Sequence, residues 1–472
     1  MKTSFEDQYG CSHAAVKEIA RGGQGVVWQT EDPRAALKLE LDPRTMEIRL
    51  DPADKQKYEY LRRLPIPEGL SLTLPSAVLT DASGYVMPWL EDMVGFETAF
   101  TRFRYEETGN NAWLAEMRQS VGEDEDGLAV VEELEGYLAT GGRQRRLEAY
   151  FRCACILSQL HSRGLVYCDL SPKNAFLSSA RGSDIVWLID ADNLDFQDRL
   201  KQNCFTPGYG APEVLKGGGC SMYSDCWSFA VALFQTLTGT HPFMGPLAEG
   251  EEDDFVDAAE DRAYSGQLPW ICDEEDDRNQ TDTVIPVEQV LSLRMMGSFQ
   301  RVFGAVGRER RTARTTMFEW ADVLAEELDH SVRCANCGMD YDGGAGRICP
   351  WCDTVNRVVT LRARTWESDR ETGPERVFLC GVCPGRSIEV PLRLIRGLRM
   401  AEADKQAFTI ESGSDSVLLR DFNGDLQFSD ESGGTAGRIE LRDGGVLWCT
   451  EDPYRFGGAR TIRIEVNYDE AD

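Results

Sequence analysis

The chain has 472 residues, enough for two or three folded domains. It carries 50 Lys and Arg against 80 Asp and Glu, and the net charge of −30 repels nucleic-acid phosphates and anionic lipid headgroups. Hydrophobic residues at 42% and charged residues at 28% are ordinary globular proportions, so the chain can bury real cores. We therefore expect no nucleic acid and no membrane among its partners.

The N-terminal residues Met1 to Asp7 are too polar for a signal peptide, and no apolar run reaches membrane-spanning length. The 15 cysteines are odd in number and scattered, which is unlike a disulfide framework. These features predict a cytoplasmic protein. Because only four histidines occur, a metal site would have to use thiolates.

Strand-like segments come first along the chain. The segment from about 15 to 40 predicts a strand, a Gly-rich turn and a second strand, and 85–87 is another strand-like run. Apolar residues then recur at helical spacing over about 145–163, 227–237 and 318–328. A few strands followed by many helices are typical of a two-lobed α+β unit of about 300 residues.

Two stretches, 105–142 and 249–277, look like insertions in this unit. The second is strongly acidic and is predicted to be a solvated loop without a catalytic role. Beyond Cys334 a cysteine-rich segment is followed by short β-like segments between Gly, Asp and Ser turns, which predict an all-β, sandwich-like domain or a small barrel. The β-like segments are 358–361, 388–394, 417–420, 438–441, 446–449 and 461–466.

A Gly-rich turn contains Gly22, Gly23 and Gly25, where missing Cβ atoms would let backbone N–H groups approach phosphates. Alone, this turn is equally typical of a tight hairpin. The ordered motifs that follow it are much more specific. These are Ala36-Leu37-Lys38, Asp169-Leu170-Ser171-Pro172-Lys173-Asn174, Leu188-Ile189-Asp190, Ala211-Pro212-Glu213 and Asp225-Cys226-Trp227-Ser228.

In this order the motifs resemble those of eukaryotic-type protein kinases over about residues 12–328. The resemblance implies a bilobal protein-kinase fold with lobes at 12–90 and 91–328, ATP and Mg²⁺ between them, and protein substrates. Lys38 would hold the α- and β-phosphates of ATP. A glutamate on the following helix, Glu59, would pair with this lysine.

The resemblance also implies the catalytic and metal-binding residues. Asp169 would orient the substrate hydroxyl and accept its proton, and Lys173 would reach the γ-phosphate. Asn174 and Asp190 would hold magnesium ions, which are hard cations that need oxygen ligands.

The same resemblance places the adenine of ATP. It would lie between Val27 and Ala36, against a hinge that includes Met87 and Trp89. Asp225 would brace the loop that carries the catalytic aspartate.

Several positions depart from the family pattern. Ala20 replaces the first glycine of the phosphate loop, and Cys168 replaces the arginine that reads a phosphorylated activation loop. We therefore expect no switch by phosphorylation of that loop. Asp192 replaces the glycine of Asp-Phe-Gly, and Ser171 replaces a lysine of Ser/Thr kinases. Thr206 nevertheless lies where Ser/Thr kinases keep a threonine that bonds the catalytic aspartate, which favours Ser/Thr over Tyr specificity.

Two other functions stay open on the sequence alone. The chain could be a nucleotide-binding pseudokinase scaffold that acts through its C-terminal module, although Lys38, Asp169, Asn174 and Asp190 are all present. It could also be a small-molecule kinase. The segment Ala211-Pro212-Glu213 and its preceding threonine favour a platform that faces a peptide.

Two Cys-x-x-Cys knuckles, Cys334 with Cys337 and Cys349 with Cys352, are separated by eleven residues. Four thiolates at this spacing can close a tetrahedron around Zn²⁺, so 330–356 is predicted to be a zinc ribbon whose metal supplies folding energy. A redox dithiol is the alternative, for which two knuckles would be redundant.

A third knuckle, Cys380 with Cys383, lacks two further ligands and is predicted to be a turn or a vestigial site. With the β-rich region 357–472 as a docking domain, the whole arrangement resembles a group of bacterial kinases. These are encoded beside von Willebrand A-domain proteins and metal-dependent Ser/Thr phosphatases of tellurite-resistance-like systems, and the resemblance implies such proteins as partners. A degenerate phosphopeptide-binding sandwich is an alternative for this domain, although it lacks Ser-Arg-x-His.

Overall fold

The computed structural model of this protein has four units in chain order. We call them the sheet unit (4–88), the helical unit (93–329), the cysteine module (331–356) and the β unit (358–469). Gly23 and the segment 249–252, which includes three glutamates, lie outside the described residues. The described residues are 4–22, 25–101, 112–179, 185–248, 253–367, 370–383, 385–413, 415–430, 437–451 and 461–469.

The sheet unit is an antiparallel six-stranded sheet with one helix, in the strand order β1-β2-β3-β4-β6-β5. Its elements are β1 (Ser4–Glu6), β2 (Ser12–Arg21), β3 (Gly25–Thr30), β4 (Ala35–Glu40), α1 (Pro52–Leu61), β5 (Ala77–Val78) and β6 (Gly84–Pro88). The strands predicted over 15–40 and 85–87 are confirmed. β1 begins before the predicted boundary at residue 12, and its Phe5 is buried in the apolar cluster on one face of the sheet.

The helical unit surrounds a large apolar core. Its elements are β7 (Met93–Gly95), α2 (Phe96–Ala99), α3 (Ala112–Val121), α4 (Glu125–Ala139), α5 (Gly142–His161), β8 (Leu165–Val166), β9 (Ala175–Ser178), β10 (Val186–Leu188), β11 (Asp195–Phe196), α6 (Pro212–Leu215), α7 (Met222–Thr238), α8 (Asp253–Tyr264), α9 (Val287–Val290), α10 (Leu293–Phe303), α11 (Ala305–Glu309) and α12 (Met317–Asp329). The three helices predicted from apolar spacing are confirmed as α5, α7 and α12. Within the described ranges, no helix is both long and apolar enough to cross a bilayer.

Both predicted insertions contain helices. α3 and α4 occupy much of 105–142, and α4 buries Val131, Leu134 and Tyr137 against the core of the helical unit. The prediction of a solvated loop over 249–277 is wrong in its described part, because α8 forms there and the Asp273 carboxylate is buried. Asp273 accepts a hydrogen bond from Gln300 Nε2 at 2.9 Å, a partner that the local acidic pattern could not reveal.

The cysteine module is short, with strands β12 (Ser331–Arg333) and β13 (Asp340–Asp342). It has no separate apolar core among the described residues, because Val332, Met339 and Tyr341 belong to the same cluster as the helical unit. β12 continues directly from α12. The module is therefore packed as a part of the helical unit.

The β unit consists of two antiparallel sheets around one apolar cluster, with the strand orders β15-β14-β22-β21-β19 and β16-β17-β18-β20. The sequence analysis did not predict three of its strands, which are β15, β17 and β19. The first half of β15 is polar and contains Pro374, which is tolerated because β15 lies at the edge of its sheet. Its elements are β14 (Val358–Glu367), β15 (Arg370–Gly381), β16 (Ser387–Pro391), α13 (Arg393–Arg396), β17 (Gln406–Ser412), β18 (Ser416–Arg420), β19 (Leu426–Asp430), β20 (Arg438–Arg442), β21 (Val446–Glu451) and β22 (Thr461–Asp469).

A buried ion pair fixes α6 to the segment before α12. Both terminal nitrogens of Arg314 donate to Glu213 at 2.8 Å, and Arg314 Nε donates to the Gly307 carbonyl at 2.9 Å. The Arg314 side chain has no exposed surface, and it packs on the Trp227 ring. Because every nitrogen has a partner, removing one carboxylate would leave an uncompensated buried charge.

We expect Glu213→Gln to lower the free energy of unfolding by about 3–5 kcal/mol, because Arg314 would keep its charge without the matching carboxylate. Urea unfolding followed by circular dichroism measures this loss. Glu135→Gln is the matched control: its exposed pair with Arg118 spans 3.0 Å and should contribute about 1 kcal/mol at most. Equal losses in the two variants would contradict this account of the buried pair.

Candidate active site and cysteine cluster

The loop between β8 and β9 is held by a buried carboxylate. Asp225 lies in the first turn of α7, where Ser221 caps the helix and Ser224 completes a capping box. Its two carboxylate oxygens accept the backbone N–H groups of Tyr167 at 2.8 Å and Cys168 at 2.9 Å. Cys168 has φ of +80°, so this left-handed backbone is stabilised by the carboxylate.

Asp169 follows directly and is half-buried. Its Oδ1 accepts a hydrogen bond from Thr206 Oγ1 at 2.8 Å, and its backbone carbonyl accepts one from Asn174 Nδ2 at 2.8 Å. Burial raises the pKa of Asp169, with the nearby Asp190 carboxylate acting in the same direction. Lys173 on the same loop is exposed. The loop therefore presents a partly desolvated carboxylate whose orientation is set by a threonine 37 residues away.

Lys38 on β4 reaches the segment that follows β10. Its Nζ donates to Asp190 Oδ1 and, at 2.6 Å, to Asp192 Oδ2. Burial by itself lowers the pKa of Lys38, but the carboxylates of Asp192 and Asp190 outweigh this effect and hold the pKa above its ordinary value. The structure thus brings together the predicted residues Lys38 and Asp190 from two different units.

Glu59, the predicted partner of Lys38, lies on α1 but does not pair with the lysine in the described structure. Glu59 is half-buried on α1, and the Lys38 ammonium group makes no ion pair with it in the structure as described. The preceding residue, Tyr58, points its hydroxyl at Glu40. In this structure the two carboxylates beside Lys38 belong to Asp190 and Asp192, and a Lys38–Glu59 pair stays a prediction.

The residues predicted to contact the nucleotide lie on β3, β4 and β6 or beside them. The turn before β3 is closed by the Gly22 N–H, which donates to the Gly25 carbonyl at 2.9 Å. A Cβ on Gly25 would lie 3.0 Å from the Leu39 carbonyl oxygen, so this position favours glycine. Val27 pairs with Lys38 across β3 and β4.

The predicted adenine contacts continue on β4 and β6. Ala36 is fully buried and pairs with Met87 across these strands. The Trp89 N–H donates to the Arg34 carbonyl at 2.9 Å, so in this structure it is not available to read an adenine edge. Met87 and Trp89 are both half-buried beside this position.

Sequence reasoning missed two supports of the lysine. Tyr85 on β6 is buried, and its hydroxyl donates to Asp192 Oδ1 at 2.7 Å. A Cβ on Gly84 would lie 2.3 Å from the Lys38 carbonyl oxygen, so β6 can approach β4 this closely only with glycine. A glycine next to a buried strand was the available signal for Gly84, whereas nothing local pointed to Tyr85.

The thiol that replaces the expected arginine is enclosed. Cys168 is buried, and its Sγ donates to the Asn193 carbonyl at 3.3 Å. Between Asp190 and Glu213 the sequence has only two hydroxyl side chains, Thr206 and Tyr209. The Tyr209 hydroxyl donates to Gln235 Oε1 at 3.0 Å. Both hydroxyls are thus engaged inside the protein, and the Cys168 position offers no charge for a phosphate.

The four cysteines of the cysteine module converge. Their Sγ atoms all lie within 4.8 Å of one another, with Cys334 and Cys352 at 3.7 Å and Cys337 and Cys349 at 3.6 Å. The Asn356 side chain donates to Cys334 Sγ at 3.5 Å and the Asn336 side chain to Cys352 Sγ at 3.6 Å. Amide donors of this kind stabilise thiolates, so the cluster is compatible with a bound zinc ion.

The third knuckle does not join a metal cluster. Cys380 is buried on β15, and the Cys383 N–H donates to Ser412 Oγ at 3.2 Å. In the part of the chain that the structure describes, the cysteine module holds the one group of three or more potential metal ligands. None of the 15 cysteines is assigned to a disulfide in this structure.

Part of the chain is similar to known protein kinases. Residues 139–292 match the family model described as "Protein kinase domain". This segment contains Asp169, Asn174 and Asp190 but not Lys38. The match covers less than half of the chain, and it places the loop described above within protein-kinase sequence.

Alignments with individual kinases cover a still smaller share of this chain. The human ribosomal protein S6 kinase alpha-3 is 37% identical over 93 residues, 20% of this chain and 13% of that protein. Human serine/threonine-protein kinase D3 is 34% identical over 121 residues, 24% of this chain and 13% of the relative. The cGMP-dependent protein kinase, isozyme 2 forms cD5/T2, of Drosophila melanogaster is 38% identical over 98 residues, 20% and 10% of the two chains. The chain thus spans about an eighth or less of the length of these relatives.

Proposed function

We propose that this chain is a Ser/Thr protein kinase that transfers the γ-phosphate of ATP to protein hydroxyls. The observation that carries the proposal is the contact of Lys38 with Asp190, which joins the sheet unit to the helical unit beside Asp169. The protein-kinase family match over 139–292, which includes Asp169, supports it, as does the partial similarity to human serine/threonine-protein kinase D3. The proposed kinase domain is 12–328, with lobes 12–90 and 91–328.

ATP would supply the phosphoryl group, and Mg²⁺ would neutralise charge on its phosphates. Asn174 and Asp190 offer the oxygen ligands for that metal, and Lys38 offers an ammonium group to the phosphates. Asp169 would orient a substrate hydroxyl and accept its proton. Burial raises its pKa, and this makes the carboxylate a stronger base than an ordinary aspartate.

A peptide substrate fits the surface beside Thr206. A groove next to it is lined by Phe205, Pro207, Leu215 and Tyr264, and the side chains of Phe205 and Leu215 are exposed. An apolar groove beside a half-buried carboxylate suits an extended peptide better than a small polar metabolite. Because Thr206 bonds the proposed base, this geometry favours serine and threonine as acceptors.

We expect Asp169→Asn to abolish phosphoryl transfer while leaving thermal stability without nucleotide nearly unchanged. The amide oxygen can still accept from Thr206, but the side chain cannot take a proton. Transfer from labelled ATP to the chain itself and to a peptide library measures the effect. Asp198→Asn, an exposed change on the same segment, is the matched control. An Asp169→Asn variant as active as its parent would refute the assignment.

The hydrogen-bonded hydroxyl groups of Thr206 and Tyr209 predict a kinase without a phosphorylation switch between Asp190 and Glu213. Tyr209→Phe should change the transfer rate by less than about tenfold, because it removes one neutral hydrogen bond. Thr206→Ala should lower the rate by about ten- to a hundredfold, since a bond to a carboxylate is lost, and Thr206→Ser should retain it. Initial rates of peptide phosphorylation test all three variants. A collapse in Tyr209→Phe would reveal a switch at that residue.

We also propose that 330–356 is a zinc ribbon with Cys334, Cys337, Cys349 and Cys352 as ligands. The convergence of four sulfur atoms supports a closed tetrahedral site that has no open position for water. Because the module shares its apolar core with the helical unit, loss of the metal would also weaken that unit. The redox alternative would give disulfides instead of a bound metal.

Elemental analysis of the purified chain should find about one zinc per molecule. Cys349→Ser should release it and lower the unfolding temperature of the whole helical unit, since Cys349 is buried in the shared cluster. Cys383→Ser is the matched control and should keep the metal. Absence of zinc from the unsubstituted chain would refute the zinc ribbon. Two zinc ions per chain would show that residues outside 330–356 also bind the metal.

The wider context of the kinase is proposed from the sequence. The region 357–472 would dock partners, and a von Willebrand A-domain protein or a metal-dependent phosphatase is the candidate from resemblance to bacterial kinases alone. The free thiols and strong negative charge support a cytoplasmic location without nucleic-acid or membrane partners. A pseudokinase scaffold is the alternative, and it predicts nucleotide binding without phosphoryl transfer.

A further inference from the structure

Asp192 is a buried carboxylate that lies beside Lys38. Its side chain is 9% exposed, against 47% for Asp190 two residues earlier. Oδ2 accepts from Lys38 Nζ at 2.6 Å, and Oδ1 accepts from the Tyr85 hydroxyl at 2.7 Å. Each oxygen therefore has its own donor, and both donors come from the sheet unit.

The surrounding packing fixes this carboxylate. Asp192 lies in the short 3-10 turn Ala191–Asn193, which starts from a left-handed Asp190 with φ of +55°. The Tyr85 ring is buried edge-on against Tyr58 of α1, with 4.7 Å between the ring centroids. Helix α1 thus contributes an aromatic support here, while its Glu59 makes no ion pair with Lys38 in the described structure.

We propose that Asp192 is the positioning residue for Lys38, in the role that the family resemblance gave to a glutamate on α1. The inference rests on the proposed kinase function. Asp192 keeps the ammonium group of Lys38 in place when the more exposed Asp190 turns to a metal. One short segment then sets both the phosphate-binding lysine and the metal-binding aspartate.

A coupling of this kind is measured by a double-mutant cycle with Lys38→Met, Asp192→Asn and the double variant. The probe is ADP with Mg²⁺, and its affinity is measured by titration calorimetry. Asp192→Asn should weaken binding about tenfold in the parent and less than about twofold in the Lys38→Met background. A purely structural role of Asp192 would give equal losses in both backgrounds, and that result would overturn the proposal.

Two further variants keep the test decisive. If Asp192→Asn does not fold, Tyr85→Phe removes the other hydrogen bond to this carboxylate and should weaken ADP binding only when Lys38 is present. Asp198→Asn controls for the loss of a charge on the same segment. If Glu59→Gln weakens ADP binding as much as Asp192→Asn does, the helix supplies the working partner and the proposal fails.

The proposal and the kinase function can fail separately. Urea unfolding of the same four proteins without nucleotide measures the Lys38–Asp192 coupling whether or not the chain is an enzyme. Coupling without phosphoryl transfer by the parent would refute the kinase function alone. Transfer by the parent without coupling in either measurement would refute the role of Asp192 alone.

Discussion

A single buried carboxylate organises the loop on which the candidate active site depends. Asp225 has no exposed surface, and its oxygens accept two consecutive backbone N–H groups while His161 Nε2 lies 3.0 Å away. Without these bonds the left-handed backbone at Cys168 would have no compensation, and Asp169 would lose its orientation. Charged acceptors bind N–H groups more strongly than neutral ones, which is why an aspartate suits this position.

The helical unit and the cysteine module share one buried apolar cluster. Arg143 on α5 is buried, and it donates to Glu327 on α12 and to the Val290 carbonyl on α9 at 2.9 Å. The ring centroids of Trp113 in the helical unit and Trp351 in the cysteine module are 6.2 Å apart. Because the buried apolar cluster is continuous across this boundary, loss of the proposed metal would also weaken the packing of the helical unit.

The electrostatics of the cleft are consistent with the proposed use of a divalent cation there. The Asp190 and Asp192 carboxylates both pair with the Lys38 ammonium group, and the Asp190 charge also acts on Asp169, so three carboxylates cluster here in a chain that is itself strongly acidic. Phosphate groups would be repelled by such a cluster unless a metal joined them to the carboxylates. The raised pKa of Asp169 has burial as its main cause, with the Asp190 charge adding to it.

Local patterns in the sequence determined the helices α5, α7 and α12 and the spacing of the four cysteines. Helical periodicity and Cys-x-x-Cys spacing follow from backbone geometry over a few residues. Both patterns can therefore be recognised in the sequence without knowing the fold. The order of motifs also identified Lys38, Asp169, Asn174 and Asp190 as site candidates. Polar edge strands such as β15 lack such a pattern, and they were missed.

Only the tertiary structure decided which charges meet. Lys38 pairs with Asp192, 154 residues away, and Glu59 on the nearer helix is not its partner in the described structure. The choice depends on how the sheet unit packs on the segment after β10, which places Tyr85 and Lys38 on the same carboxylate. The shared core of the cysteine module has the same origin, because the fit between apolar surfaces is settled by packing and not by spacing along the chain.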